Sequence, residues 1–357
     1  MNRYTELCIL GTGPAARICS LFLKSASHLV VGNGPKMGSL STLKIQGQEI
    51  NAVPIFPVYQ SPLYKDLWKE SGIKHDFLEY IYYGDIAREF SKIQPLVSNV
   101  NTNSYATRCY QKSKSIHAQK NILLAYKLLG KVIFTNRLRR LNDKVTRHYG
   151  SNMPNARIGF INGLSAYYEK LRTIPGEVLS EDIKEIDIDK KIVFTTQSEI
   201  SYRLLISTLN LRGMMRKVRG APDVQLISKP ASFFVVKTSS PLEPHKVIYD
   251  LELESPIYRV FTIGLNIALV QLSILHSMEV GDAKPIVDRL KQFLGQKLSV
   301  EFEHSYTIED AYPLDSSSDM ELNHFMSELE EKGVILLGRY AEWEYVDLHE
   351  LDFSRII

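Results

Sequence analysis

The apolar run Leu7 to Leu10 stops at Gly11-Thr12-Gly13-Pro14, a helix-compatible stretch follows from Ala15 to Lys24, and a second apolar run spans His28 to Val31. Strand, glycine turn, helix and strand in that order predict the first half of a Rossmann unit. From Ser61 to about Gly150 strand alternation is sparse, and stretches such as Asn121 to Leu129 predict an inserted helical region. Phe160 to Leu171 reads as a further helix. Ile183 to Ile188, Lys191 to Thr196 and Arg203 to Thr208 have the β-branched content and punctuation of short strands. Four more such runs follow closely, Ser232 to Lys237, Lys246 to Leu251, Tyr258 to Ile263 and Ala268 to Ile274, and predict an antiparallel sheet.

Two amphipathic helices complete the pattern. Asp282 to Leu294 places Ile286, Val287, Leu290, Phe293 and Leu294 on one face before the stop at Gly295, and Asp319 to Lys332 does the same with Leu322, Phe325, Met326 and Leu329 before Gly333. Both stripes read as core faces. The last apolar run, Val334 to Leu337, leads into Gly338 and Arg339, and predicts a strand returning to the opening sheet. The fold class is therefore α/β: a discontinuous Rossmann-type dinucleotide-binding domain over 1–60, 151–228 and 300–357, a helical insertion over 61–150, and an antiparallel-sheet substrate region over 229–299.

Composition changes this picture little. With 44% hydrophobic and 23% charged residues, the 357-residue chain is ordinary for a folded protein. A net charge of +3, from 43 Lys and Arg against 40 Asp and Glu, is too balanced to point to nucleic acid by itself. The first residues lack the apolar core of a signal peptide, and no stretch reaches the roughly 18 to 20 apolar residues that cross a bilayer. Cys8, Cys19 and Cys109 have no CxxC spacing and suit small core side chains in a reduced, cytoplasmic setting. Nine histidines without metal-ligand spacing predict no metal centre.

The opening turn carries the clearest chemistry. In Gly11-Thr12-Gly13-Pro14-Ala15-Ala16 the first glycine permits the tight turn, the second lets backbone approach a pyrophosphate, and small Ala16 permits close helix–strand packing. The helix after it would aim free N–H groups and a positive dipole end at the phosphates. The second strand ends at Val31-Gly32-Asn33, with Asn33 where an acidic ribose ligand is usual.

Further along, Met37-Gly38-Ser39-Leu40-Ser41-Thr42 followed by Gly47 to Tyr59 resembles the glycine-containing loop and strand of the flavin amine oxidase, protoporphyrinogen oxidase and UDP-galactopyranose mutase superfamily. Phe160-Ile161-Asn162-Gly163-Leu164 resembles the entry to its middle helix, and Leu205-Ile206-Ser207-Thr208-Leu209 a strand motif in which Asn210 replaces proline. Gly338-Arg339-Tyr340-Ala341-Glu342-Trp343-Glu344-Tyr345-Val346-Asp347-Leu348 is similar to the mutase-like terminal motif. The resemblance implies FAD as cofactor, held by Gly11, Gly13, Pro14, Ala15, Ala16, Asn33, Gly38, Ser39, Gly338, Arg339, Asp347 and Leu348. On the substrate side it implies Tyr258, Arg259, Tyr312, Arg339 and Trp343. Where the mutase has a histidine beside the flavin, this chain has Pro54, which neither titrates nor donates a hydrogen bond.

The expected function is an FAD-dependent oxidoreductase that oxidises a C–N or C–C bond by hydride transfer. The alternatives are a redox-neutral mutase or lyase acting on a nucleotide-linked or other anionic small molecule, and a non-catalytic binding protein of flavoprotein fold. Two basic stretches, Arg137, Arg139, Arg140, Lys144, Arg147 and His148, then Arg212, Arg216, Lys217 and Arg219, read first as solvated surface. Facing the cleft, they would favour an anionic substrate or, less directly, nucleic acid.

Overall fold

The computed structural model describes residues 1–23, 26–33, 42–45, 48–51, 75–83, 145–148, 158–160, 175–226, 228–244, 246–250, 252, 255–264, 266–272, 284–295, 299–313, 320–343 and 351–356. In chain order the early elements are β1 (Asn2–Leu10), α1 (Pro14–Phe22), β2 (Leu29–Val31), β3 (Thr42–Ile45), β4 (Gln48–Asn51), β5 (His75–Phe77), β6 (Glu79–Tyr83), β7 (Val145–His148) and β8 (Ile158–Phe160). Then come β9 (Glu177–Leu179), β10 (Ile183–Asp187), β11 (Ile192–Thr195), β12 (Glu199–Ser207), α2 (Leu211–Met215), β13 (Ser228–Thr238), β14 (Lys246–Asp250), β15 (Ile257–Gly264) and β16 (Ile267–Leu272). The chain closes with α3 (Lys284–Leu294), β17 (Val300–Pro313), α4 (Met320–Glu331) and β18 (Val334–Leu336).

The first sheet is built on β1. It pairs in parallel with β2 on one side and, along its length, with β12 on the other. β9 extends the sheet beyond β2, also in parallel. Opposite β1, the long β12 serves two further neighbours: its first three residues pair antiparallel with β11 of the β10–β11 hairpin, and its last three pair in parallel with β18. The predicted return of the C-terminal strand thus occurs, with Leu205, Ile206 and Ser207 against Val334, Ile335 and Leu336. Strands enclosed this way read as continuous apolar runs because both faces are covered. Cys8, Ile9 and Leu10 are accordingly fully buried. Burial also pushes the Cys8 and Cys19 thiols up to about 12, so both are inert core groups. The helix α4 lays Leu322, Phe325 and Leu329 into this core, as its stripe predicts.

The second sheet has the order β17-β13-β16-β15-β14-β6-β7. Four of its strands match the runs read from the sequence, and α3 packs Ile286 and Leu290 on one face against Val260, Val270 and Val236. The two strands at one edge, β6 and β7, differ from expectation. The region 61–150 was expected to be helical, yet Glu79–Tyr83 and Val145–His148 are strands. β6 pairs with β14, more than 160 positions away in sequence (Lys246 opposite Glu79), so its partner is invisible to local periodicity. Asn121 to Leu129 lies outside the described residues. Likewise Phe160 ends β8, paired with β5, where the start of a helix was expected, and 161–174 lie outside the described residues. β17 is a further difference: 300–313 were grouped with the dinucleotide domain, whereas this strand runs antiparallel to β13. Among the described residues no helix is long and apolar enough to cross a membrane.

Candidate functional site

The site is decided where the first sheet changes direction of winding. From β1 the chain crosses through α1 to β2 on one side, while β12 lies on the other, so the carboxyl end of β1 is a topological switch point. Open α/β sheets bind ligands at such a point, beyond the strand ends. Three carboxyl ends meet there: Gly11 after β1, Thr208 after β12 and Gly338 after β18. Thr208 donates from both its N–H (3.0 Å) and its hydroxyl (2.8 Å) to the Leu10 carbonyl. Leu337 N–H donates to the Ser207 carbonyl at 2.9 Å.

The glycines have distinct jobs. Gly11 has φ +104°, a left-handed conformation, and a Cβ there would lie 2.5 Å from Thr208 Oγ1. Its N–H donates to the Val31 carbonyl at 2.8 Å, which ties the turn to the end of β2. Gly13 is different: its φ is −74°, and a Cβ would meet nothing within 4 Å. Space above the Gly13 backbone is therefore open. Gly13 is also the N-cap of α1, with Pro14 next. The first i to i−4 bond is Arg17 N–H to the Gly13 carbonyl, 3.1 Å, so the helix supplies no partner for the N–H groups before it. An open glycine backbone at a helix N-terminus, where the helix itself leaves its first N–H groups unpaired, is an arrangement that suits an anion.

Two neighbours shape the cradle. Arg17 is only 5% exposed, and its Nε donates to the Thr12 carbonyl at 2.7 Å, stiffening the turn. Nothing in the sequence marks it, since an arginine on a short helix usually faces water. Gly338, with φ +98°, crosses directly over α1: a Cβ there would lie 3.1 Å from the Ala15 Cβ. Gly338 N–H donates to Glu342 Oε1 at 2.6 Å, and the Ala341 and Glu342 N–H groups donate back to the Gly338 carbonyl, both at 2.9 Å. The glycine turn and the returning segment, more than 300 residues apart, are therefore in contact. Arg339 and Tyr340 are half-buried beside them.

Trp343 was expected to offer a stacking surface to substrate. It is 2% exposed, packs in the first-sheet core, and has the Arg212 guanidinium 5.5 Å from its ring centre. That indole is a core side chain, out of a substrate's reach. Arg212 is itself held by Asp310 Oδ1 (2.8 Å) and the Leu226 carbonyl (2.7 Å). Asn210, where the family motif has proline, caps α2 by accepting from Arg212 N–H at 3.0 Å and donates to Asp310 Oδ2 at 3.0 Å. Asp310 belongs to β17, so this cluster joins the two sheets. Arg219 pairs with Asp187 at 2.9 Å and with Glu185, and Lys217 reaches the Ile183 carbonyl. Three of the four cations in this basic stretch thus have structural partners.

On the second sheet, Arg259 donates from Nε to Gln271 Oε1 at 2.6 Å, with Gln271 2% exposed, and its guanidinium lies 4.7 Å from the Phe261 ring centre. Tyr258 is half-buried and meets Tyr249 edge to face at 6.1 Å. Phe261 and the half-buried Tyr249 belong to the core cluster on the face opposite α3. Tyr312 lies in β17 opposite Lys229. Gly38, Ser39, Pro54, Asp347, Leu348 and Cys109, and the basic residues Arg137, Arg139, Arg140 and Lys144, lie outside the described residues.

At the end of β2, Asn33 Nδ2 donates to Asp182 Oδ1 at 2.8 Å. A carboxylate thus lies beside the end of β2, contributed by the segment after β9.

No family model and no curated protein sequence matches the chain. Solved structures do. A CLA-producing fatty acid isomerase from P. acnes superposes with a TM-score of 0.61 at 13% identity, covering 97% of this chain and 96% of that one. Reduced UDP-galactopyranose mutase gives 0.61 at 16% identity, over 95% and 89% of the two chains. Putrescine oxidase bound to putrescine gives 0.58 at 11% identity, over 98% of each. Similarity over nearly the whole length shows that this chain shares the overall fold of these solved structures.

Proposed function

We propose that the protein is an FAD-dependent flavoenzyme whose most direct activity is oxidation of a C–N or C–C bond in a small molecule. The observation that carries the reading is the cradle at Gly13: open space over a glycine backbone at the N-terminus of α1, with Gly338 packed against the neighbouring Ala15. Its donor set suits a pyrophosphate, because N–H groups and a helix dipole stabilise negative charge without a side chain. When bound, FAD supplies hydride acceptance at its isoalloxazine ring, and the protein supplies orientation, electrostatics and exclusion of water. Gly11 shapes the turn, Gly13 and Ala15 offer backbone to the phosphates, and Arg17 holds the turn rigid. Gly38, Ser39, Arg339, Asp347 and Leu348 complete the cofactor contacts that the resemblance implies. Arg259, fixed by Gln271 and backed by Phe261, is a preoriented cation for the substrate side, beside Tyr258; Tyr312 is a further substrate contact that the resemblance implies.

A second reading, redox-neutral isomerisation, is favoured by one observation: the two matches at TM-score 0.61 are an isomerase and a mutase. Purified protein is expected to take up added FAD and turn yellow, and protein that stays colourless in excess FAD overturns both readings. With FAD bound, anaerobic addition of a diamine, an unsaturated fatty acid or a UDP-hexose separates the two. Flavin bleaching that persists until oxygen is admitted supports oxidation, whereas product without net bleaching supports isomerisation.

The cradle itself has a sharper test. Gly13→Ala is expected to cost no more than about 1 kcal/mol of stability, since its Cβ enters open space at an ordinary φ. The same methyl occupies the approach to the pyrophosphate, so FAD affinity should fall at least about tenfold, on the order of 1.4 kcal/mol. Equilibrium dialysis against FAD beside a urea melt of the apoprotein checks both halves. Unchanged affinity would remove Gly13 from the cofactor site.

A further inference from the structure

We infer that Asp182, positioned by Asn33, is the ribose ligand of the nucleotide site, replacing the acid that β2 lacks. The assignment rests on the nucleotide reading above. Gly32 N–H donates to the Leu179 carbonyl at 3.1 Å, and a Cβ on Gly32 would lie 3.0 Å from Thr12 Cγ2. The end of β2 therefore touches both the end of β9 and the glycine turn. Asn33 follows Gly32 directly, and Asp182 comes three residues after the last residue of β9, Leu179. Both are exposed.

The chemistry matches a diol. Vicinal ribose hydroxyls are donors and need acceptors, best supplied by a carboxylate. Asn33 gives its amide hydrogen to Asp182 Oδ1 at 2.8 Å, which fixes the carboxylate. Asp182 Oδ2 and the Asn33 side-chain carbonyl have no partner among the described residues, so two acceptors remain. The Asp182 backbone is anchored as well, its carbonyl accepting from Thr196 N–H at 3.0 Å. The adjacent Glu181 does not compete for the role. It is 8% exposed and accepts from the hydroxyls of Thr195 and Ser198, which hold its carboxyl below the usual carboxylate range, the Thr195 contact contributing most.

The test compares ADP with 2′,3′-dideoxy-ADP, both measured by calorimetry on the apoprotein, together with FAD uptake. Wild-type protein is expected to bind ADP about 10- to 100-fold more tightly than the dideoxy analogue, the usual range for hydrogen bonds to a charged group. Asp182→Ala should abolish most of that preference while leaving dideoxy-ADP binding unchanged. Asn33→Ala should reduce the preference less, because the carboxylate remains but is less ordered. Asn33→Asp alone sets two carboxylates against each other and should weaken ADP binding. Combining it with Asp182→Asn restores one carboxylate and one amide in exchanged positions, and should recover the preference. Since the pair is exposed, apoprotein melting midpoints should match wild type in every variant. If Asp182→Ala keeps the ribose preference, or wild type shows none, the assignment is overturned while nucleotide binding stands. If wild type takes up neither ADP nor FAD, the nucleotide reading fails and the assignment fails with it.

Discussion

Replacing Arg289 with methionine is expected to destabilise the protein by about 3–5 kcal/mol, the range for removing one partner of a buried ion pair. Arg289 lies on α3 and reaches Asp250 at the end of β14 with Nε to Oδ2 and a terminal nitrogen to Oδ1, both 2.8 Å. Asp250 is fully buried and Arg289 side-chain exposure is 15%. Methionine preserves most of the packing of the stem, so the loss reports the carboxylate left in the interior without its guanidinium. Denaturant midpoints for Arg289→Met, Asp250→Leu and the double variant give the coupling directly, and the double variant should be less destabilised than the sum of the singles. The same helix offers a control. Lys284 and Asp288, 83% and 52% exposed, form a surface pair whose removal should cost about 0.5 kcal/mol or less. A loss that small at Arg289 would mean that the pair does not anchor α3 to the sheet.

Gly11→Ala is expected to be as damaging, by a different route. The backbone sits at φ +104°, where an L side chain costs about 1–3 kcal/mol. The added Cβ would also lie 2.5 Å from Thr208 Oγ1. That hydroxyl is bound to the Leu10 carbonyl at 2.8 Å, so it yields only by breaking a bond, and overpacking of this kind costs about 1–3 kcal/mol more. The total, about 2–6 kcal/mol, should appear as a lower urea midpoint in the apoprotein, with FAD binding weakened because the turn itself moves. The contrast with Gly13→Ala is the informative part. Two glycines two residues apart should separate into one that holds the fold and one that holds the ligand. Equal stability losses at both would contradict the open space over Gly13.

How far the site could be read in advance follows from the range of the interactions. Gly11 and Gly13 were legible because a tight turn between strand and helix is a local event. The stripe of Leu322, Phe325 and Leu329 was legible because helical period places these residues on one face whatever they pack against. Trp343 was not. An aromatic beside a glycine-arginine motif reads as a ligand surface, but only the fold of the 338–343 turn, with Trp343 itself at φ 54°, turns its ring into the core. Tyr80 and its neighbours in β6 read as part of a helical insertion because the strand they pair with comes from β14.

Asn33 draws the division most clearly. It stands at the end of β2 where an acid is usual, and that much is local sequence. That Asp182 stands 2.8 Å away could not be read from the chain, since 149 positions separate the two. The sequence by itself determined the glycine turn, the amphipathic faces and the apolar returning strand, each governed by torsional freedom or hydrophobic period over a few residues. Which strand lies beside β1, where β18 returns, and which carboxylate meets Asn33 were decided only by tertiary structure, because sheet pairing joins segments whose separation leaves no local trace.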